Sequence, residues 1–403
     1  MRIGIDSRAI AKTRKSGIGV YLETILKNLP EEAFDASSGN EVFLYSNKAF
    51  ESFNTDGRFK LRCGRFNLHG TVWALAELPG MLKNDGIELF WSPLHVLPLT
   101  GLKNIKKLLT IHDMVFRRFP ETMEFKNFWI NRFLVGKSLN NCDLILSDSI
   151  NTERDIRFFY PRLNKPIRTV YPGLSTSINR TSKEFSARLV REKYNIDKHY
   201  ILIVGTHEPR KNFSRAFEAF SRICGSIPHQ LVSAGALGWK TEKLVSQIKN
   251  SAISKRITFL EYLDDEGLSN LYSAADLFLF PSLYEGFGLP PLEAMSCGCP
   301  VISSNRASLP EVTGDAAVSI GPEDTNLWAS KILEVLSDPA LRASLSEKGL
   351  KQAEKFNPKA SARAYGTRLK SFMRNNILII KLSAIGDLLM ASPSFAQISK
   401  NNP

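Results

Sequence analysis

An α/β protein of two parallel-sheet domains is the fold class this sequence predicts, on three observations. Short, almost wholly apolar runs recur along the 403 residues, with helical patterns between some of them. Strands apolar on both faces belong to parallel sheets covered by helices on both sides. A chain of this length also exceeds what one core usually serves. Finally, the alternation halts at a polar, charged stretch, residues 174–198, and restarts at Tyr200. The resulting boundaries are 1–175 and 176–357 for the two domains, a helical run at 358–374, and a separate segment at 375–403.

In the first domain, Ile3 to Ile5 is a short strand, Arg8 to Gly19 its loop, and Tyr21 to Leu26 has helical apolar spacing. The loop's end, Ser16-Gly17-Ile18-Gly19, can bring backbone amides near a phosphate. It lacks the third glycine of a dinucleotide fingerprint, and a tight turn without a ligand is the other reading. Val42–Tyr45, Glu88–Trp91, Lys107–Ile111, Leu144–Ser147 and Ile167–Tyr171 are the remaining strands, and Phe128–Leu139 is a helix. Ligands of such sheets lie beyond the carboxyl ends of the strands. His112 and Asp113 sit there, the histidine as a site residue and the aspartate orienting the loop or the imidazole. Arg117 and Arg118 follow on an exposed segment that can face an anionic acceptor.

Residues 174–198 form the linker, with a short helix from Ser182 to Tyr194. Tyr200 to Gly205, YILIVG, is the first strand of the second domain, and a helix runs from Phe213 to Cys224. Arg210 and Lys211 stand between them. Fixed cations there can stabilise a leaving group that gains negative charge, Arg as a planar fork and Lys as a point charge. Solvated surface cations are disfavoured, because a helix N-terminus repels them. Gln230–Ala234, Ile257–Glu261, Leu277–Phe280, Val301–Ser303 and Ala316–Ile320 complete the second sheet. Gly235-Ala236 marks a close approach to a nucleotide, and Trp239 either stacks on a base or packs.

The densest stretch is 276–312. A strand leads into the loop Tyr284-Glu285-Gly286-Phe287-Gly288. Pro290 and Pro291 suit the first turn of a helix, Leu292 to Cys297, that stops at Gly298. This makes a cradle of free backbone N–H groups flanked by two carboxylates, Glu285 and Glu293. A glycosidase pair needs carboxyl groups facing each other about 5–9 Å apart. Eight helical residues would instead span roughly 12 Å. A first-turn Glu that merely complements the helix dipole is the plainer reading of Glu293.

The stretch PSLYEGFGLPPLEAMSCGCPVISSN resembles the signature of family 4 retaining glycosyltransferases of the GT-B fold, a group that includes bacterial mannosyltransferases. The resemblance implies that Glu285 and the amides of Gly286, Phe287, Gly288 and Leu289 hold the donor sugar. It gives Glu293 the ribose diol. Thr110-Ile111-His112-Asp113, with Phe119-Pro120, resembles the segment whose histidine contacts the donor sugar. Gly205-Thr206-His207-Glu208-Pro209-Arg210-Lys211-Asn212 resembles the pyrophosphate-binding turn, which implies Arg210 and Lys211 on the diphosphate and Asn212 in support. Gly17 and Gly19 would approach the donor phosphate or the acceptor. Glu311-Val312 matches a segment that closes the second domain, and 359–374 resembles the helix crossing back to the first. Residues 376–393 resemble the opening of family 9 heptosyltransferases, which implies a truncated second domain at 375–403.

The expectation is therefore a metal-independent hexosyltransferase with no cofactor. Its donor is a nucleotide-diphosphate sugar, GDP-mannose first. Its acceptor is a lipid-linked or cell-surface glycan such as lipopolysaccharide. Lys+Arg 53 against Asp+Glu 40 gives a net +13. That balance fits anionic partners, including the inner face of a membrane. Met1 to Arg8 carries charges where a signal peptide needs an apolar stretch, and no run approaches the roughly 18 apolar residues of a span. The expected location is cytoplasmic, with peripheral membrane contact. Cys63, Cys142, Cys224, Cys297 and Cys299 read as buried reduced thiols, and Cys297-Gly298-Cys299 lacks metal-pair spacing. The rivals are a Rossmann oxidoreductase, a basic nucleic-acid-binding protein and a non-catalytic nucleotide-binding protein. The sequence has no Gly-x-Gly-x-x-Gly after a strand, and no cluster of aromatics among cations as nucleic-acid recognition requires.

Overall fold

A computed structural model describes residues 1–374 except 12–15, 30–39, 51–52, 54–56, 67, 198, 237, 239–245, 247, 249–250, 252 and 262; residues 375–403 lie outside the described residues. The heptosyltransferase-like segment and Trp239 therefore fall outside as well. Among the described residues, thirteen strands form two sheets, and every pairing between neighbouring strands is parallel.

The first sheet holds β1 (Arg2–Asp6), β2 (Glu41–Ser46), β3 (Lys60–Cys63), β4 (Leu89–Ser92), β5 (Lys106–Ile111), β6 (Leu144–Ser147) and β7 (Ile167–Thr169), in the order β3-β2-β1-β4-β5-β6-β7. The second holds β8 (Tyr200–Val204), β9 (Gln230–Ala234), β10 (Ile257–Leu260), β11 (Leu277–Phe280), β12 (Val301–Ser304) and β13 (Val318–Ile320), in the order β10-β9-β8-β11-β12-β13. In each, the chain starts mid-sheet, works to one edge, then returns and works to the other. That reversal leaves a crevice at the carboxyl ends of β1 and β4, and of β8 and β11.

The apolar runs have a direct cause. Along β8, Ile201 and Ile203 pack into one core layer, with Phe213, Phe217 and Phe220 of the helix Phe213–Ile223. Leu202 and Val204 pack into the layer on the other face, with Phe278, Leu292 and Met295. A strand with no polar face cannot alternate.

Several boundaries differ from expectation. β3, with sequence KLRC, was not expected; it is an exposed edge strand without an apolar run. The first helix, Gly17–Asn28, begins at Gly17 rather than after Gly19, so both glycines belong to its first turn. The helix expected from Leu292 spans Leu289–Ser296, because Gly288 at φ +115° ends the loop one residue before it. Cys63 is exposed and Cys224 half-buried, against the expectation of buried thiols; the other three are buried, and all five are free.

The start of the helix Pro358–Arg374, up to Gly366, packs against the first domain. Its Tyr365 is fully buried and donates to the Val170 carbonyl at 3.0 Å. The Tyr21 hydroxyl donates to that of Tyr365 at 2.9 Å, and Trp91 stacks on the ring with centroids 5.8 Å apart. The chain therefore passes between the domains twice, once at 170–174 and once at 356–366.

Candidate active site

The expected site residues converge where the two sheets' carboxyl ends face each other. Arg210 and Lys211 lie in a short 3₁₀ turn, Pro209–Lys211, between β8 and its helix. Both point at Glu285, on the loop after β11. Lys211 Nζ lies 2.8 Å from Glu285 Oε1, and Arg210 Nη1 lies 2.8 Å from Oε2. Ser282 donates its hydroxyl to Oε1 at 2.6 Å. Arg210 also pairs with Glu208 and donates to the Tyr284 carbonyl at 2.7 Å. The Lys211 ammonium sits 4.9 Å from the centre of the Phe280 ring, a cation–π contact.

This is a buried cluster of two cations and two carboxylates. Burial alone would raise the Glu285 pKa, but the charges of Arg210 and Lys211 outweigh it and hold the carboxyl at about 2. Glu285 is therefore anionic at any physiological pH and too weak a base to remove a proton near pH 7. It holds the two cations in place, and one carboxylate lone pair is left over.

Glu293 has the opposite character. It lies on Leu289–Ser296, half-buried, and accepts a hydrogen bond from Tyr272 at 3.0 Å. Burial pushes its carboxyl up to about 7, because the Tyr272 bond and the distant Lys211 charge only partly offset desolvation. The two acids are thus separated by environment, one fixed as a carboxylate and the other poised near neutrality.

Asn212, at φ +54°, uses its side-chain amide on the carbonyls of Pro281 (3.1 Å) and Pro322 (2.9 Å). It ties the cationic turn to the end of β11, with both amide protons engaged by protein. Gly286 is a close-packing point: a Cβ there would lie 2.0 Å from the His112 carbonyl oxygen. Gly288 would meet Leu309 at 2.7 Å. The Phe287 ring packs at the hinge against Tyr171 and Phe356, centroids 6.0 and 5.5 Å away, so only its backbone faces the loop. Leu289 opens the helix that follows. Gly235 serves the sheet itself, since a Cβ there would lie 2.2 Å from the Gly205 carbonyl oxygen.

His112 follows β5, and both ring nitrogens face acceptors. Nδ1 is 2.5 Å from Asp148 Oδ2, and Nε2 is 2.7 Å from the Pro93 carbonyl. Two acceptors imply two protons. Desolvation opposes the charge, yet Asp148 and these bonds raise the pKa, which favours the doubly protonated ring. Neighbouring His95 is pushed down to about 4 by burial and by that charge, and its Nε2 accepts from the His112 amide. Asp113 orients the loop, accepting from the Val115 amide at 3.0 Å. The imidazole is oriented by Asp148 instead, a residue the sequence did not single out. Gly17 is exposed and Gly19 buried at the start of Gly17–Asn28.

The two domains are in direct contact here. The Tyr284 hydroxyl donates to Asp155 at 2.7 Å and accepts from the Met114 amide at 3.0 Å. Thr152 Oγ1 lies 3.0 Å from the His112 carbonyl and 3.3 Å from that of Gly286. Glu311 reaches across to the helix Ile150–Phe159, accepting from the amides of Ile150 (2.8 Å) and Asn151 (2.7 Å). It therefore does not merely close its own domain; it caps a helix of the other, where the dipole favours an anion. His207, of which the sequence said nothing, braces Ser233 at 2.7 Å and is depressed by burial.

Two facing parallel-sheet domains, a helix that crosses back, and a cation pair with a Gly-rich loop at their junction define a GT-B glycosyltransferase. The model of the family "Glycosyl transferases group 1" matches residues 187–352. O-antigen chain mannosyltransferase B of Escherichia coli is 34% identical over 256 residues, covering 62% of this chain and 67% of that protein. The chain belongs to this family. Serotype-specific mannosyltransferase WbdA of Escherichia coli is 33% identical over 265 residues, and this chain spans only 32% of its length. Among solved structures, sucrose-phosphate synthase from Thermosynechococcus elongatus superposes with a TM-score of 0.74 at 20% identity, over 92% of this chain and 99% of that one. That likeness concerns the fold.

The raised Glu293 carboxyl has a stability consequence. Its folded pKa of about 7 exceeds the ordinary 4.5, so its contribution is fully present below about pH 4.5 and is lost as pH rises through 7. Glu293→Gln should match the parent at pH 5 and exceed it by on the order of 1–3 kcal/mol at pH 8, in paired urea melts. A stability difference that does not change with pH contradicts the assignment.

Proposed function

We propose that this glycosyltransferase moves mannose from GDP-mannose to a lipid-linked glycan acceptor, with retention at the anomeric carbon and without a metal. The observation that carries it is the buried Arg210–Lys211–Glu285 cluster at the domain junction. As the glycosidic bond breaks, charge accumulates on the departing diphosphate, and pre-set cations in a water-poor cleft stabilise it without reorganising. Two such charges fill the role a divalent ion has elsewhere. Among the described residues, the one His/Cys/Asp/Glu grouping tight enough for a cation lies away from this junction.

Retention is supported by what the acids can do. An inverting transfer needs a base near the acceptor hydroxyl; Glu285 is held at about 2, both His112 ring nitrogens face protein acceptors, and Glu293, the acid near 7, is engaged by Tyr272 on the helix Leu289–Ser296. A phosphate oxygen of the leaving group can take the acceptor's proton on the same face. Glu293 suits the ribose diol, since hydroxyl donors would stabilise its ionised form. Mannose and the glycan acceptor rest on the O-antigen mannosyltransferase relatives.

The acceptor's lipid is supported by the helix Phe125–Asn141. Phe125 (78% exposed), Trp129 (41%) and Phe133 (60%) form one stripe at four-residue spacing, with Lys126 and Arg132 exposed beside them. Aromatic bodies flanked by cations fit an anionic lipid interface. No helix among the described residues is long and apolar enough to cross a membrane.

With GDP-mannose and a lipid-linked glycan, product should form with α-configuration retained from the donor by NMR, at a rate unchanged by EDTA. An inverted product removes the retention claim, loss of rate with EDTA removes the metal claim, and transfer only from a uridine donor removes GDP-mannose. Phe133→Ser should separately reduce co-sedimentation with phosphatidylglycerol vesicles several-fold while leaving nucleotide binding intact; undiminished co-sedimentation rules out this helix as the contact.

A further inference from the structure

His199, His229 and Asp276 are each the residue immediately before a strand: β8, β9 and β11. Those strands are neighbours in the order β9-β8-β11. Parallel register, with Tyr200 opposite Gln230 and Ile201 opposite Leu277, brings the three side chains together at the amino edge of the sheet. The cation turn lies at the other end of β8, roughly 16 Å away along a five-residue strand.

We propose that these three residues form a binding site for a zinc-class divalent cation. One ligand atom from each falls within a mutual 4.8 Å. His199 Nδ1 is 2.9 Å and His229 Nε2 is 3.5 Å from the same oxygen, Asp276 Oδ2. A tetrahedral ion with arms of about 2.0–2.1 Å needs ligand edges of roughly 3.3–3.4 Å. Both separations need to move by only a few tenths of an ångström, and the third edge, between the two imidazoles, is at most 4.8 Å. Two imidazoles and one carboxylate are the donor set that borderline metals take, with a fourth position left to solvent beside the exposed His199.

A second observation points to a ligand. His229 is largely buried, and its Nε2 faces the Asp276 carboxylate, the ligand edge of the proposed site. Among the described residues Nδ1 has no partner. A cation would take the Nε2 lone pair, which otherwise meets only Asp276 at 3.5 Å. The surroundings hold the ligands in place. Lys183 Nζ takes the other oxygen, Asp276 Oδ1, at 2.5 Å, which leaves Oδ2 for a monodentate bond. Arg256 donates to the backbone carbonyls of His229 and Ile227, fixing the loop that carries His229. An open cavity of about 800 Å³, lined in part by His199, Pro228 and Arg256, gives access from solvent. The ion would clamp the starts of three strands, far from the sugar-transfer site.

The test is calorimetric titration of Zn²⁺ into the metal-stripped full chain, with melting temperature and transfer rate read alongside. The expected result is one equivalent bound and a raised melting temperature. The affinity should fall at least about tenfold in His199→Ala and not at all in His69→Ala, an exposed histidine elsewhere. The transfer rate should stay the same with and without zinc. His199 is mostly exposed, so its loss should not endanger folding. No zinc uptake by the parent, or uptake undiminished in His199→Ala, overturns the site.

Discussion

The junction of the two domains depends on one buried arrangement: a carboxylate, Glu285, locked between the Arg210 guanidinium and the Lys211 ammonium. A buried ion group of this kind is a poor way to gain stability, because desolvating each charge costs several kcal/mol. Its value is positional. Two cations that would otherwise repel each other and seek water are kept in a cleft, on a turn that Asn212 ties to the next strand. The same loop continues through Gly286, whose missing Cβ lets it touch the His112 carbonyl of the other domain. The carboxylate that holds the cation pair and the contact between domains therefore share one segment of chain.

The surrounding groups hold that contact in register. Tyr284 spans from Met114 to Asp155, Glu311 caps the helix Ile150–Phe159, and Tyr365 anchors the returning helix. Most are single polar links between domains, and such links are weak beside a continuous apolar core. The two chain crossings near Tyr171 and Phe356 carry the apolar contact. A pair of rigid halves joined by polar links and a double hinge is the arrangement that can open for substrate and close over it.

Much of this was legible in the sequence, for stated reasons. Strands buried on both faces are apolar throughout, so β8 and β11 announce themselves, and a Gly-rich loop or cation pair right after such a strand points to a ligand edge. β3 was not legible, since KLRC at a sheet edge has neither an apolar run nor a turn signal. Nor was the pairing of Asp148 with His112, or of Asp155 with Tyr284. These partners stand 36 and 129 residues apart, and each aspartate is one charged residue among many until the fold brings it to its partner. The amino-edge trio of His199, His229 and Asp276 is hidden in the same way, because only strand order makes them neighbours.

The central claim is that positions 210 and 211, organised by Glu285, hold a diphosphate. Calorimetric affinities for GDP and guanosine, in the parent, Lys211→Met and Glu285→Gln, test it directly. The parent should prefer GDP by at least about a hundredfold, and each variant should lose most of that preference while its affinity for guanosine is unchanged. Equal preference for GDP in all three proteins would contradict it.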